Sequence, residues 1–229
     1  MANNYKTVTA GVIPDYQDSD RWVKSKAAMW DGVLYQCKTR GFRLWNDLVY
    51  RTIHPSHTHT EGRRSKLYAE SVNLFEDFDT FVEWCLEQHG YMNREVNGKF
   101  WQLDKDLLVS GNKNYGPDFC VFLPNDVNSL FVTGRSQKSE SGLPLGVSLY
   151  QRDSNQFIAQ CQTNGTRNGY LGKFSTVNEA HAEWQKAKIG EILRHSGRDD
   201  LSDVVKEALF RRAMGIQVDL LHDKETKFY

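Results

Sequence analysis

Two carboxylates and a lysine stand together near the middle of the chain, where they could do chemistry. Asp104, Lys105 and Asp106 follow the start of a predicted strand over 99–109, and Asn128 lies on a predicted short helix. A strand–loop–strand–helix hairpin of this length can bring a strand-end Asp and a helical Asn to one divalent ion, which supports phosphodiester cleavage. Hard oxygen ligands suit Mg²⁺ better than zinc. The alternative is a surface charge cluster at the end of a strand.

Three histidines form a second candidate group, in a predicted loop over 54–62. His54, His57 and His59 have an HxxHxH spacing that could bring three imidazoles to a transition metal. A solvated cluster of loop histidines is the simpler interpretation. Histidines among basic residues would also serve to contact phosphate.

The composition predicts a soluble folded protein. Apolar residues make up 39% of the 229 residues, charged residues make up 25%, and the mean hydropathy is −0.62. No apolar run approaches the roughly 18–20 residues of a membrane span, and no apolar segment follows the polar start MANNYKT. The four cysteines are widely spaced without a CxxC pair, which fits a reducing cytosol. We therefore exclude a membrane protein, a secreted precursor and a disordered chain.

Charge is balanced over the whole chain but not along it. There are 29 basic and 29 acidic residues. The segment 134–195 carries eight Lys and Arg against five Asp and Glu, a balance of +3, and 36–66 carries seven against two. Such local basic surfaces can meet phosphate although the net charge is zero.

The elements that must position these residues fall into two modules. Gly, Ser and a final Pro between residues 133 and 144 indicate a linker. Upstream, short helices are predicted over 20–52 and an amphipathic helix over 69–88. Downstream, three short strands over 145–174 precede a helix from Ser175 or Thr176 to about residue 194, and a last helix covers 199–214. The predicted limits are a first domain 1–133, a linker 134–144, a second domain 145–195 and a helical extension 196–229.

The segment 101–130 resembles the ββα-metal hairpin of HNH-type nucleases, and more closely their phage-borne relatives. The matching residues are Leu103-Asp104-Lys105-Asp106, Gly111-Asn112-Lys113, Tyr115-Gly116-Pro117, Cys120, Phe122-Leu123-Pro124 and Val127-Asn128. The resemblance implies that Asp104 and Asn128 are metal ligands for Mg²⁺ or Mn²⁺. It places Lys105 where the family has its general-base His, and Phe119 where it has the middle Asn of the loop. Lys105 and Asp106 are the candidate catalytic residues.

Residues 145–195 resemble an AP2-type DNA-binding domain, in which three antiparallel strands lie on one helix. The match rests on Gly146-Val147, Phe157-Ile158-Ala159, Tyr170-Leu171-Gly172-Lys173-Phe174, Ser175-Thr176, Glu179-Ala180, Trp184 and Ala187. By position, the sheet would contact double-stranded DNA through Ser148, Tyr150, Arg152, Gln160, Gln162, Arg167, Asn168 and Tyr170. Gln can read adenine, and Arg supplies salt-dependent affinity for phosphate.

The sequence predicts an α+β protein, and the two resemblances imply that it is of phage type and acts in the cytoplasm of an infected bacterium. The leading functional hypothesis is a Mg²⁺-dependent DNA endonuclease or nickase. The alternative is a catalytically inactive DNA-binding regulator, or an inhibitor of a host system, built on a nuclease scaffold. A protein–protein antagonist without either activity is the third hypothesis.

Overall fold

The protein is an α+β chain of two compact units, Met1–Pro124 and Asn125–Tyr229, which confirms the predicted class. The computed structural model describes residues 6–9, 25–30, 33–53, 70–131, 142–150, 155–161 and 169–227. Only 142–144 of the predicted linker fall in these ranges, so the linker and the domain limits drawn from it stay predictions. None of the helices in these ranges combines the length and the apolar composition that a membrane span requires.

A three-stranded sheet opens the first unit, where the sequence predicts short helices over 20–52. Strand β3 runs parallel to β1 and antiparallel to β2. The strands are β1 (Lys6–Thr9), β2 (Ser25–Trp30) and β3 (Val33–Lys38). The helical prediction is therefore wrong for β2 and β3. The sequence signal that this prediction missed is the dipeptide Asp31-Gly32 between β2 and β3, which is typical of a two-residue hairpin loop.

Helix α1 covers Arg40–Ile53, and helix α2 covers Phe78–Glu87 rather than 69–88 as predicted. The delayed start has a local cause at Asp77. Its carboxylate accepts the Thr80 N–H at 2.8 Å, and the Thr80 hydroxyl accepts the Asp77 N–H at 3.1 Å. This capping box fixes the first turn, and the residues before it include strand β4 (Val72–Asn73), which runs parallel to β6 (Asn114–Tyr115).

Aromatic packing in the first unit fixes strand β7 (Val121–Leu123), the partner of the strand that carries the candidate site. The ring centroids of Trp45 on α1 and Phe81 on α2 are 5.5 Å apart, and those of Trp84 on α2 and Phe122 are 6.0 Å apart. Both distances are in the favourable range for ring pairs. Phe122 belongs to β7 and is buried, so β7 is anchored to α2.

The second unit contains the three strands and the following helix that the sequence predicts. The strands form an antiparallel sheet in the order β10-β9-β8. Its elements are α3 (Asn125–Asn128), β8 (Val147–Leu149), β9 (Phe157–Gln160), β10 (Tyr170–Phe174), α4 (Val177–Ser196) and α5 (Asp203–Leu221).

Helix α4 begins at the predicted capping box. The Thr176 hydroxyl accepts the Glu179 N–H at 3.2 Å, and the Glu179 carboxylate accepts the Thr176 N–H at 3.1 Å. The helix packs against the sheet on one side and against α5 on the other. Its buried residues include Trp184 and Ile192. One face of the sheet is therefore covered by α4.

A buried histidine on α4 ties the end of the chain to the start of the sheet. His181 Nδ1 lies 3.0 Å from the carbonyl oxygen of Leu145, and the N–H of Thr226 donates to His181 Nε2 at 3.0 Å. Burial lowers the pKa of His181, which keeps the imidazole neutral. A neutral ring with its proton on Nδ1 satisfies both bonds at once.

An ion pair holds the short helix α3 within the second unit. Arg198, just after α4, donates to the carboxylate of Asp126 at 2.6 Å and to that of Asp200 at 2.6 Å. Asp126 lies on α3, two residues before Asn128. The second unit therefore positions Asn128.

Gly146 provides a direct test of the packing between the sheet and α4. Its φ is +75°, and a Cβ there would lie 1.9 Å from Cδ1 of Trp184. We expect Gly146→Ala to lower the free energy of unfolding by about 2–4 kcal/mol, from backbone strain and overpacking together. Urea unfolding followed by circular dichroism measures the change.

The matched control is Gly190→Ala, in the middle of α4. A Cβ there meets no atom within 4 Å, so the better helix former should raise stability by up to about 1 kcal/mol. Equal effects of the two substitutions would contradict the packing described.

Candidate functional site

The candidate catalytic residues lie at the end of a short antiparallel strand pair in the first unit. Strand β5 (Gln102–Asp104) pairs with β7, with Leu103 opposite Phe122 and Asp104 opposite Val121. The buried Trp101 directly precedes β5. Asp104 is therefore held in place as the last residue of β5. The segment 105–120, which we call the hairpin loop, includes the short strand β6 (Asn114–Tyr115) and returns the chain to β7.

Asp104 anchors the first turn of this loop. Its Oδ1 accepts hydrogen bonds from the backbone N–H groups of Asp106 at 3.0 Å and Leu107 at 2.8 Å. Burial nevertheless raises the pKa of Asp104, because the loss of solvent outweighs these bonds, and the nearby Asp106 charge adds to the rise. The carboxylate thus acts on the backbone of its own loop.

The ammonium of Lys105 is buried and already paired. The residue is 8% exposed, and Nζ donates to the carboxylate of Asp106 and to the backbone carbonyl of Asn112 at 3.0 Å. The ring of Tyr115 lies 5.8 Å from Nζ, within range of a cation–π contact. Lys105 lies where the HNH-type nucleases have their general base, but its ammonium group donates to two acceptors.

Asn112 is the residue that sequence reasoning missed, although it lies in the quoted GNK segment. Its Nδ2 donates to the carbonyl oxygens of Lys105 and Asn114, both at 2.7 Å, and its Oδ1 accepts the N–H of Asn114 at 3.1 Å. One side chain thus braces both arms of the loop. The only sequence signal is an Asn in a Gly-containing loop, which is typical of side-chain bonding to a nearby backbone.

Cys120 is the last residue before β7, and its thiol is buried. Burial raises its pKa to about 12, with further contributions from the charges of Asp104 and Asp106. The thiol therefore stays protonated at neutral pH, and a protonated thiol is a poor nucleophile and a poor metal ligand.

One predicted ligand for Mg²⁺ or Mn²⁺, Asp104, directly precedes the hairpin loop. One oxygen of Asp104 accepts two backbone N–H bonds, and one oxygen of Asp106 accepts a bond from the Lys105 ammonium. The positive charge of Lys105 would repel a cation bound next to it. In the described part of the chain, no group of three or more His, Cys, Asp and Glu side chains could hold a metal ion. Asp104 belongs to the first unit and Asn128 to the second. Joint ligation of an ion by these two residues stays a prediction.

Four predicted DNA contacts share one face of the second unit's sheet. Ser148 pairs with Ile158, and Gln160 pairs with Tyr170. Directly paired residues point to the same side, and Ile158 and Gln160 are two residues apart on β9. The covered side holds Ala159, which is fully buried. We call the opposite side the outer face; Tyr150 joins it through its contact with Lys173.

A β-bulge adds Lys173 to the outer face. The pairing shifts between Tyr170 and Gly172, so that Leu171 is the extra residue and Lys173 lies opposite Ile158. Gly172 has a φ of +155° at this point. Lys173 Nζ lies 3.6 Å from the ring centroid of Tyr150. Simple alternation from Tyr170 would place Lys173 on the covered side, which is why sequence reasoning missed it.

Several candidate residues lie outside the described residues. They are the remaining predicted DNA contacts Arg152, Gln162, Arg167 and Asn168, and the histidines His54, His57 and His59.

Comparisons with protein-family models, with curated proteins and with solved structures find no match to this chain. The geometry of the hairpin loop and of the outer face therefore carries the functional proposal.

Asn112 gives the clearest test of the loop. Asn112→Ala removes three hydrogen bonds from a partly buried segment, and at about 1 kcal/mol each we expect a loss of roughly 2–3 kcal/mol in the free energy of unfolding. Urea unfolding followed by tryptophan fluorescence measures it.

Asn97→Ala is the matched control in the same unit. Asn97 makes two comparable local hydrogen bonds, to Glu95 and Lys99, in an exposed turn. Asn97→Ala should lower the free energy of unfolding by less than about 1 kcal/mol. An Asn112 variant as stable as the Asn97 variant would contradict the bracing role.

Proposed function

We propose that this protein binds DNA through the outer face of the second unit's sheet, and that the hairpin loop of the first unit is a structural scaffold. The observation that supports DNA binding is the common placement of Ser148, Tyr150, Gln160 and Tyr170, joined by Lys173, on the side of the sheet opposite the Ala159 side. Helix α4 supports this sheet from behind.

The outer face carries the groups that DNA recognition uses. Gln160 is exposed and offers both a donor and an acceptor, which suits the edge of an adenine. The exposed Lys173 supplies positive charge for a phosphate. The major groove of a duplex is about 12 Å wide and admits two β-strands, and Gln160 and Lys173 lie on the two neighbouring strands β9 and β10. Double-stranded DNA is therefore the proposed partner.

The contacts of the hairpin loop favour a binder over a nuclease. A general base must offer a lone pair to the attacking water, and the Lys105 ammonium instead donates to Asp106 and Asn112. One oxygen of Asp104 already accepts two hydrogen bonds from the turn that follows it. These groups account for the loop's shape without a substrate.

A metal-dependent DNA endonuclease is the second candidate. The observation in its favour is the chain order, in which the antiparallel pair of β5 and β7 is followed at once by helix α3. Its proposed residues are those of the sequence prediction, with Mg²⁺ or Mn²⁺ as the ion.

Fluorescence anisotropy with a pool of labelled random-sequence 30-base-pair duplexes tests the proposal. We expect Lys173→Gln to weaken binding by the full-length protein and to lower the slope of log affinity against log salt by about one unit, because one phosphate contact is lost. The control is Lys186→Gln, an exposed lysine of α4 paired with Glu183. Equal loss in both variants, or binding unchanged by Lys173→Gln, would refute a role for the outer face.

A further inference from the structure

Tyr170 presents an uncovered ring on the outer face. The residue is 47% exposed and lies opposite Gln160 at the start of β10. Within the described ranges, no aromatic ring or cation packs on Tyr170. An exposed aromatic ring on a β-sheet offers a flat surface on which a nucleotide base can stack.

The second tyrosine of this face is arranged differently. The ring of Tyr150 is covered by the Lys173 ammonium, 3.6 Å from its centroid. That contact holds the lysine's charge in a defined place on the sheet. The outer face therefore combines one free ring, one fixed cation and the amide of Gln160.

A fully paired duplex cannot use the free ring. Bases inside a duplex stack on their neighbours and show only their edges in the grooves. The flat surface of a base becomes available when the base is unpaired and unstacked. The Gln160 amide, directly opposite Tyr170, could then bond the exposed edge of that base.

We propose that the outer face recognises double-stranded DNA that contains unpaired bases. One unpaired base stacks on Tyr170, Gln160 bonds its edge, and Lys173 binds an adjacent phosphate. This inference rests on the proposed function and specifies its ligand.

The test compares two labelled 30-base-pair probes that differ only in a central three-nucleotide mismatched bubble. Stacking of one base is worth roughly a 5- to 150-fold change in affinity, so the full-length protein should prefer the bubble probe by a factor in this range. Tyr170→Leu should abolish the preference, and Tyr170→Phe, which keeps the ring, should retain it. The exposure of Tyr170 makes both variants compatible with folding.

The outcomes separate this inference from the proposed function. Equal affinity of the wild-type protein for the two probes, or a preference that survives Tyr170→Leu, overturns the stacking role while DNA binding stands. Failure to bind either probe overturns both. A preference for the bubble probe that the wild type and Tyr170→Phe show and Tyr170→Leu lacks supports the inference.

Discussion

Burial of the Lys105 ammonium is the constraint on which the hairpin loop depends. Removing a charged group from water costs several kcal/mol unless it finds acceptors. Asp106 and the backbone carbonyl of Asn112 supply them, and hydrogen bonds to a charged group are worth about 1.5–3 kcal/mol each. The carbonyl of Asn112 must therefore face Lys105, and its side chain then bonds both arms of the loop. Polar groups that bond to each other in this way leave few hydrogen-bonding atoms for a substrate, which favours a structural role for the loop.

The second unit places its polar groups the other way round. Helix α4 lies between the sheet and α5, so one side of the sheet is covered, with Ala159 fully buried, and the outer face is left with Gln160, Tyr170 and Lys173 exposed. The bulge at Leu171 brings the lysine to that face. The charged groups of the hairpin loop pair with each other, whereas Lys173 of the sheet is exposed on the outer face.

Sequence reasoning succeeded where the signal is local. The capping box of Thr176 and Glu179, the three short strands of the second unit and the following helix all rest on neighbouring residues, and the structure confirms them. The last helix, predicted over 199–214, covers Asp203–Leu221. Its longer end follows from favourable packing of residues such as Ile216, which is buried, and Gly215 does not stop it.

The failures have non-local or competing causes. Asp77 caps α2 and overrides the amphipathic pattern that begins earlier. The dipeptide Asp31-Gly32 is a local hairpin signal, but the strands β2 and β3 on either side of it are stabilised by pairing with each other, which composition alone does not reveal. Lys173 reaches the outer face only because one residue of β10 has no partner on β9. The bonding role of Asn112 depends on the fold of the whole loop.

A single gel with supercoiled plasmid tests most directly whether the protein binds DNA without cutting it. The wild-type protein and Asp104→Asn, which keeps an acceptor oxygen for the Asp106 and Leu107 amides, are incubated with plasmid in Mg²⁺ or Mn²⁺. We predict that both proteins retard the plasmid and that it remains supercoiled after the protein is removed. Relaxed plasmid produced by the wild type and not by Asp104→Asn would contradict the account and assign nuclease activity to the hairpin.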